Sequence, residues 1–159
     1  MAECKNIMVY VETAEGNPVK VGLEMLSPAK KLADKVTAVV IGGGVADAAK
    51  EVAKAGADQV ICVDSEDYKE FNLDAYAQVL VELVKEENPE AVFVGGTQDG
   101  KDIAPVVAAK CNTGCASDVL DIKAEDGEVI YTCPLYGGTV LEDVKIKTTP
   151  QIATSVSYT

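Results

Sequence analysis

The stretch Gly95-Gly-Thr-Gln-Asp-Gly-Lys-Asp-Ile-Ala-Pro105 decides the fold that this sequence predicts. It joins the apolar run at 91–94 to an alanine-rich segment that ends near Lys110. An apolar run, a glycine-rich turn and a helical segment in this order are typical of a buried parallel strand that leads into a crossover helix. The stretch therefore predicts a strand, a tight loop and a helix from about 101 to 110.

The glycine spacing in this loop allows two interpretations. Four residues separate Gly95 from Gly100-Lys101, as in a phosphate-binding loop, but Asp102 stands where such a loop has the hydroxyl that holds Mg²⁺. The first interpretation is a nucleotide loop whose candidate binding residues are Gly95, Gly96, Thr97, Gly100 and Lys101. The second is a tight turn whose helix is capped by Asp99 or Asp102. Two carboxylates beside a triphosphate argue against an ATP hydrolase.

The same alternation of apolar runs and helical segments extends towards the amino terminus. Apolar runs at 6–11, 36–41 and 59–63 alternate with segments of helical periodicity, and the first of these segments is expected to be irregular at Pro28. Four such strand–helix units predict an α/β fold: a doubly wound, mostly parallel sheet in three α/β/α layers, like that of the adenine-nucleotide alpha hydrolases.

The pattern changes after the fourth unit. Strand-like runs at 118–124, 128–134, 139–147 and 151–156 are separated by glycine or proline turns, with no helical segment between them. This tail predicts a C-terminal antiparallel extension of the sheet edge. With no linker or repeat in the chain, residues 1–159 are expected to form a single domain.

Composition excludes several functions. The net charge is −12, and all 14 basic residues are lysines scattered among 26 acids, which makes nucleic acid an improbable partner. The chain contains no histidine, so catalytic triads and histidine-ligated metals are excluded. We therefore expect no catalytic residues and no metal site.

The cysteines and the hydropathy indicate the compartment. Five cysteines in a chain without an apolar leader fit reduced thiols in the cytoplasm, and Cys62 and Cys133 are expected to be small core residues. The four-residue step from Cys111 to Cys115 is not a redox or zinc pair. No apolar run approaches the roughly 20 residues that span a bilayer, so we expect no membrane insertion.

The edge of the sheet formed by the carboxyl ends of the parallel strands is the expected pocket. It would bring together the segments 12–14, 42–44 and 95–102 with Asp64. Gly42 and Gly44 begin like a dinucleotide fingerprint, or they simply open a helix. The acidic segment 64–70 is either a Ca²⁺ site or, as we expect, a solvated loop.

Several short motifs, taken in order, carry a resemblance to a known family. They are Asn6-Ile-Met-Val-Tyr-Val-Glu12, Ala55-Gly-Ala-Asp58, the loop at 95–105, Ser117-Asp118 and Pro134-Leu-Tyr-Gly-Gly138. Together they resemble the amino-terminal domain of the electron transfer flavoprotein alpha subunit, across essentially the whole chain.

The resemblance implies an electron carrier and not an enzyme. Such proteins are heterodimers that take electrons from acyl-CoA or other dehydrogenases onto FAD and pass them on. FAD is bound mainly by a carboxy-terminal alpha domain, which is absent here, while the first domain packs against the beta subunit. Leu135, Tyr136, Gly137 and Gly138 are the expected partner contacts. The alternative is an independent adenine-nucleotide module of the universal-stress type, which shares the fold.

Overall fold

The computed structural model describes residues 4–156, which fold into strands, helices and two short 3-10 turns. The strands are β1 Cys4–Tyr10, β2 Thr13–Ala14, β3 Asn17–Pro18, β4 Ala33–Gly42, β5 Gln59–Asp64, β6 Ala91–Gly95, β7 Cys115–Val119, β8 Asp121–Glu125, β9 Glu128–Leu135, β10 Val140–Val144 and β11 Gln151–Ser155. The helices are α1 Lys20–Glu24, α2 Leu26–Leu32, α3 Ala46–Lys54, α4 Leu73–Glu87 and α5 Gln98–Lys110. Residues 1–3 and 157–159 of the predicted domain lie outside this description.

Six strands form the central sheet in the order β5-β4-β1-β6-β11-β7, and every neighbouring pair is parallel. The chain runs outward from β1 through β4 to β5 and then returns to the other side of β1 as β6. The direction of winding therefore reverses between β1 and β6, where ligands bind in open α/β sheets. The predicted doubly wound α/β class is confirmed.

Side chains of the central strands alternate between two cores, one on each face of the sheet. Ile7, Val9 and Phe93 pack on the face covered by α2 and α3, whereas Met8 and Val92 pack on the face covered by α4 and α5. All five are essentially inaccessible to solvent. Burial on both faces explains why these strands read as continuous apolar runs.

The tail does not extend the sheet edge as predicted. Strands β8, β9 and β10 form a separate antiparallel sheet, and its residues Ile122, Val129 and Tyr131 join the core under the face that α2 and α3 cover. Strand β11 instead enters the central sheet in parallel, between β6 and β7. Parallel neighbours need a crossover connection, and the small sheet supplies it between β7 and β11 where a helix does so elsewhere.

Two helix boundaries also differ from the prediction. The first crossover helix breaks at Met25, and Pro28 lies in the first turn of α2, where its missing N–H is not needed. Helix α5 begins at Gln98, because the hydroxyl of Thr97 accepts the N–H of Gly100 at 3.0 Å. The predicted cap by Asp99 or Asp102 is wrong.

Candidate functional site

A cleft of about 420 Å³ lies at the carboxyl ends of β1 and β4, at the edge where the sequence predicts a pocket. Its walls combine aromatic rings, carboxylates and glycine backbone. The lining residues that matter here are Tyr10, Glu12, Glu15, Phe71, Tyr76 and Asp99. Three of these six are carboxylates, so the cleft carries a negative potential.

Glu12 connects this cleft to the glycine loop. Its carboxylate accepts a short hydrogen bond from the Thr97 hydroxyl, which also caps α5. Burial raises the pKa of Glu12, the hydrogen bond from Thr97 opposes that shift, and the charge of Asp99 adds to it. The Glu12–Thr97 pair therefore joins the first strand to the start of α5 across the point where the winding reverses.

The raised pKa of Glu12 predicts a specific dependence of stability on pH. A carboxyl whose pKa is higher in the folded state contributes stability below its unfolded pKa, and this contribution is lost as pH rises through the folded value. Urea unfolding gives the free energy of unfolding of Glu12→Gln minus that of wild type. We expect this difference to favour the variant more at about pH 7 than at about pH 4. Glu51→Gln, which removes one exposed charge from α3, is the control. An equal pH dependence for both variants would contradict the prediction.

The loop glycines make close contacts with the protein's own backbone and side chains. A Cβ at Gly96 would lie 2.9 Å from the carbonyl oxygen of Ser155, and one at Gly100 would lie 1.9 Å from the carbonyl oxygen of Gly95. A Cβ at Gly95 would lie 2.6 Å from Val21 Cγ1. Gly96 and Gly100 allow α5 to start directly against the ends of β11 and β6, and Gly95 leaves room for α1.

Some of the donors that a phosphate would need are engaged within the protein. The N–H of Gly96 donates to Ser155 at 2.6 Å, and the N–H of Gly100 donates to Thr97. The ammonium group of Lys101 lies 2.9 Å from the Asp118 carboxylate. These engaged donors and the carboxylates of the cleft beside the loop are unfavourable for the pyrophosphate of a flavin or an adenine nucleotide. The nucleotide-loop assignment of these residues stays a prediction.

The other turns at this edge have structural partners as well. In the turn that resembles a dinucleotide fingerprint, the N–H of Gly44 donates to Asp64 Oδ1 at 2.7 Å. This donor therefore already has a partner within the protein. Within residues 4–156 no cluster of three or more metal-type side chains could hold an ion.

The predicted partner contacts lie at the free end of the small antiparallel sheet. Tyr136 is 83% exposed, and Val140 and Leu141 beside it are about half exposed. Tyr136, Gly137 and Gly138 all have positive φ, which turns the chain sharply and holds the phenol ring outward. We call residues 135–141 the hairpin tip. It is an exposed apolar surface on a sharp turn.

The thiols divide between core and surface. Cys133 is buried as expected, but Cys62 is exposed, because β5 is the edge strand of the central sheet. Burial raises the pKa of the Cys111, Cys115 and Cys133 thiols, which keeps them protonated and unreactive near neutral pH. Between Cys4 and Val156, no helix is long and apolar enough to cross a membrane.

Sequence reasoning located the edge but missed half of the cleft. Tyr10, Phe71 and Tyr76 line it, yet each sits in a run that reads as core or loop. The signal that could have found Tyr10 is its place as the last residue of β1, two residues before Glu12 and beside the reversal point.

The fold and this crevice define a doubly wound α/β domain whose candidate site lies where the winding reverses. The model of the electron transfer flavoprotein domain matches residues 7–157, and the chain belongs to that family.

Named relatives agree with this assignment. The electron transfer flavoprotein subunit alpha of Clostridium acetobutylicum is 36% identical, over 96% of this chain and 48% of that protein. The protein of the same name from Syntrophomonas wolfei is 38% identical, over 92% and 46%. The lactate dehydrogenase (NAD(+),ferredoxin) subunit LctC of Acetobacterium woodii is 32% identical, over 94% and 37%. The chain thus spans about half the length of the curated relatives that it matches. Because the family model and these relatives are electron transfer flavoproteins, the alternative of a universal-stress module is not favoured.

Proposed function

We propose that this chain serves as the amino-terminal assembly domain of an electron transfer flavoprotein alpha subunit. It docks a beta subunit, and the complete heterodimer carries electrons on FAD from acyl-CoA or other dehydrogenases to an acceptor in the cytoplasm. The flavin is bound mainly by residues in the half of the relatives that this chain does not match. The domain itself positions partners and performs no catalysis.

The observation that carries this proposal is the hairpin tip. A phenol ring at 83% exposure beside two half-exposed aliphatic side chains is unusual for a turn that only connects two strands. Tyrosine is enriched among the residues that dominate binding energy at protein interfaces. The crowded glycine loop supports the proposal that the flavin is bound elsewhere, because the N–H groups of Gly96 and Gly100 and the ammonium group of Lys101 already have partners within the protein.

Substitution of the tip tests the proposed docking. We expect Tyr136→Ser to weaken capture of a separately purified beta subunit from the same source at least tenfold, which is about 1.4 kcal/mol. Biolayer interferometry on the folded domain measures the change. Because the side chain is exposed, the melting temperature should not fall.

Asp126→Ser is the matched control. Asp126 also has a positive φ in a turn of the same sheet, but it lies at the opposite end, between β8 and β9. Equal effects of both substitutions would argue against docking through the tip. Stoichiometric flavin absorbance in the purified 159-residue chain would overturn the proposal that the flavin is bound mainly by residues outside this domain.

A further inference from the structure

Tyr10 presents a polar group to the cleft that the proposed function does not use. The residue is only 1% exposed, at the end of β1, yet it lines the cleft wall. Its hydroxyl makes no hydrogen bond to any residue from 4 to 156, whereas the buried Tyr131 hydroxyl donates to Gln151 at 2.8 Å. A hydroxyl that borders the cleft without a protein partner is free to bind a ligand or water there.

The charges around this hydroxyl determine which ligand fits. Glu12 and Asp99 lie close enough to act on the ionisation of Tyr10, and Glu15 lines the same cleft. The one lysine in the lining, Lys69, has its ammonium group 3.7 Å from Glu66. A phosphate or carboxylate would meet three negative charges here, whereas a cation would be attracted by them.

The remaining walls favour an organic cation over a metal ion. Phe71 and Tyr76 pack edge to face with ring centroids 5.0 Å apart, and both rings line the cleft. Aromatic rings bind ammonium and guanidinium groups but give a hydrated metal ion no ligands. The carboxylates do not form a metal cluster in the part of the chain that is described.

We propose that this cleft binds a small organic cation, a guanidinium or primary ammonium group on a short aliphatic stem. The Asp99 and Glu12 carboxylates accept hydrogen bonds from the cationic head, and the Tyr10 hydroxyl completes its shell. The stem lies against Phe71 and Tyr76. The head group belongs either to a free amine or to an arginine or lysine side chain of a neighbouring protein.

Titration calorimetry at low ionic strength tests the site. Agmatine represents the free cation, N-acetylarginine amide represents a protein side chain, and AMP is the anionic comparison. We expect agmatine or N-acetylarginine amide to bind with a Kd at or below about 1 mM, more weakly as salt is added, and AMP not to bind. The tighter of the two cations identifies the source of the head group.

Two substitutions near the start of α5 form a matched pair. Asp99→Asn removes a lining charge, and we expect it to weaken agmatine binding at least tenfold. Asp102→Asn makes the same change at a carboxylate that contacts Gln98 outside the cleft, and it should leave the affinity unchanged. Equal losses in both variants would reduce the effect to net charge and overturn the proposal.

Tyr10→Phe separates binding from folding. Because the hydroxyl has no partner among the described residues, its removal should leave the melting temperature unchanged or higher while agmatine binds at least threefold more weakly. The proposal fails if no cation produces heat at 10 mM in low salt, or if Tyr10→Phe binds agmatine as wild type does. Capture of a beta subunit does not depend on this result, since the hairpin tip is a separate surface.

Discussion

Gly100→Ala should destabilise the domain by at least about 3 kcal/mol, although alanine is the better helix former by about 1 kcal/mol. The added Cβ would lie 1.9 Å from the carbonyl oxygen of Gly95, and that oxygen belongs to the backbone of a central strand. Neither group can move aside without separating α5 from the end of β6. Urea unfolding of the purified variant, or its failure to accumulate as folded protein, measures the effect.

Gly44→Ala is the control for this substitution. No atom lies within 4 Å of a Cβ at Gly44, so only its positive φ of 70° opposes alanine, at a cost of about 1 kcal/mol. A Gly100→Ala variant as stable as wild type would show that the close contact is easily relieved. The glycine loop would then have room for a ligand, and the nucleotide interpretation would regain support.

Tyr131→Ala is expected to cost about 4 kcal/mol and to loosen the small sheet selectively. Tyr131 is fully buried, its ring packs edge to face on Phe93 at 6.4 Å, and its hydroxyl donates to Gln151 on β11. It thus joins the antiparallel sheet to two strands of the central sheet. Hydrogen exchange should accelerate in β8, β9 and β10 more than in β1 and β4.

Tyr131→Phe distinguishes the ring from the hydroxyl. It retains the contact with Phe93 and removes only the hydrogen bond to Gln151, so we expect a loss of about 1 kcal/mol. If Tyr131→Ala accelerated exchange equally in both sheets, or if phenylalanine were as harmful as alanine, the proposed role of the ring would be wrong.

Local sequence signals were sufficient for the amino-terminal part of the fold. The runs that became β1, β4 and β6 are almost continuously apolar because both faces of each strand are covered. The carboxyl ends of parallel strands meet at one edge of a sheet, so the sequence alone predicts that Glu12 and the loop at 95–102 lie close together. The contact between Glu12 and Thr97 follows from that topology.

The tail could not be assigned in the same way. The run at 151–155 follows three hairpin-like strands, and adjacency along the chain favoured an antiparallel partner. Its partners are instead β6 and β7, which are remote in sequence. The sequence signal that could have placed this run in the central sheet is its lack of polar alternation. Ile152, Ala153 and Thr154 are small or apolar, as in a strand covered on both faces.

The cleft was only half predictable for a related reason. Carboxylates at strand ends are visible in a sequence, but aromatic residues contributed by α4 and the loop before it become neighbours only through packing. Phe71 and Tyr76 are brought to Tyr10 because the second core lies over that face of β1. Periodicity predicts that such residues are buried and does not show which of them border a cavity.

The place of β11 in the sheet also bears on how the chain matures during synthesis. In the described sheet β7 pairs only with β11, and β11 also covers one edge of β6. Until residues 151–155 have emerged from the ribosome, a nascent chain can assemble only β5, β4, β1 and β6, and the unpaired edge of β6 is a template for association with other chains. Once those five residues emerge, β11 can pair with β6 and β7 can pair with β11. The edge of β6 therefore depends on β11 for protection from aggregation.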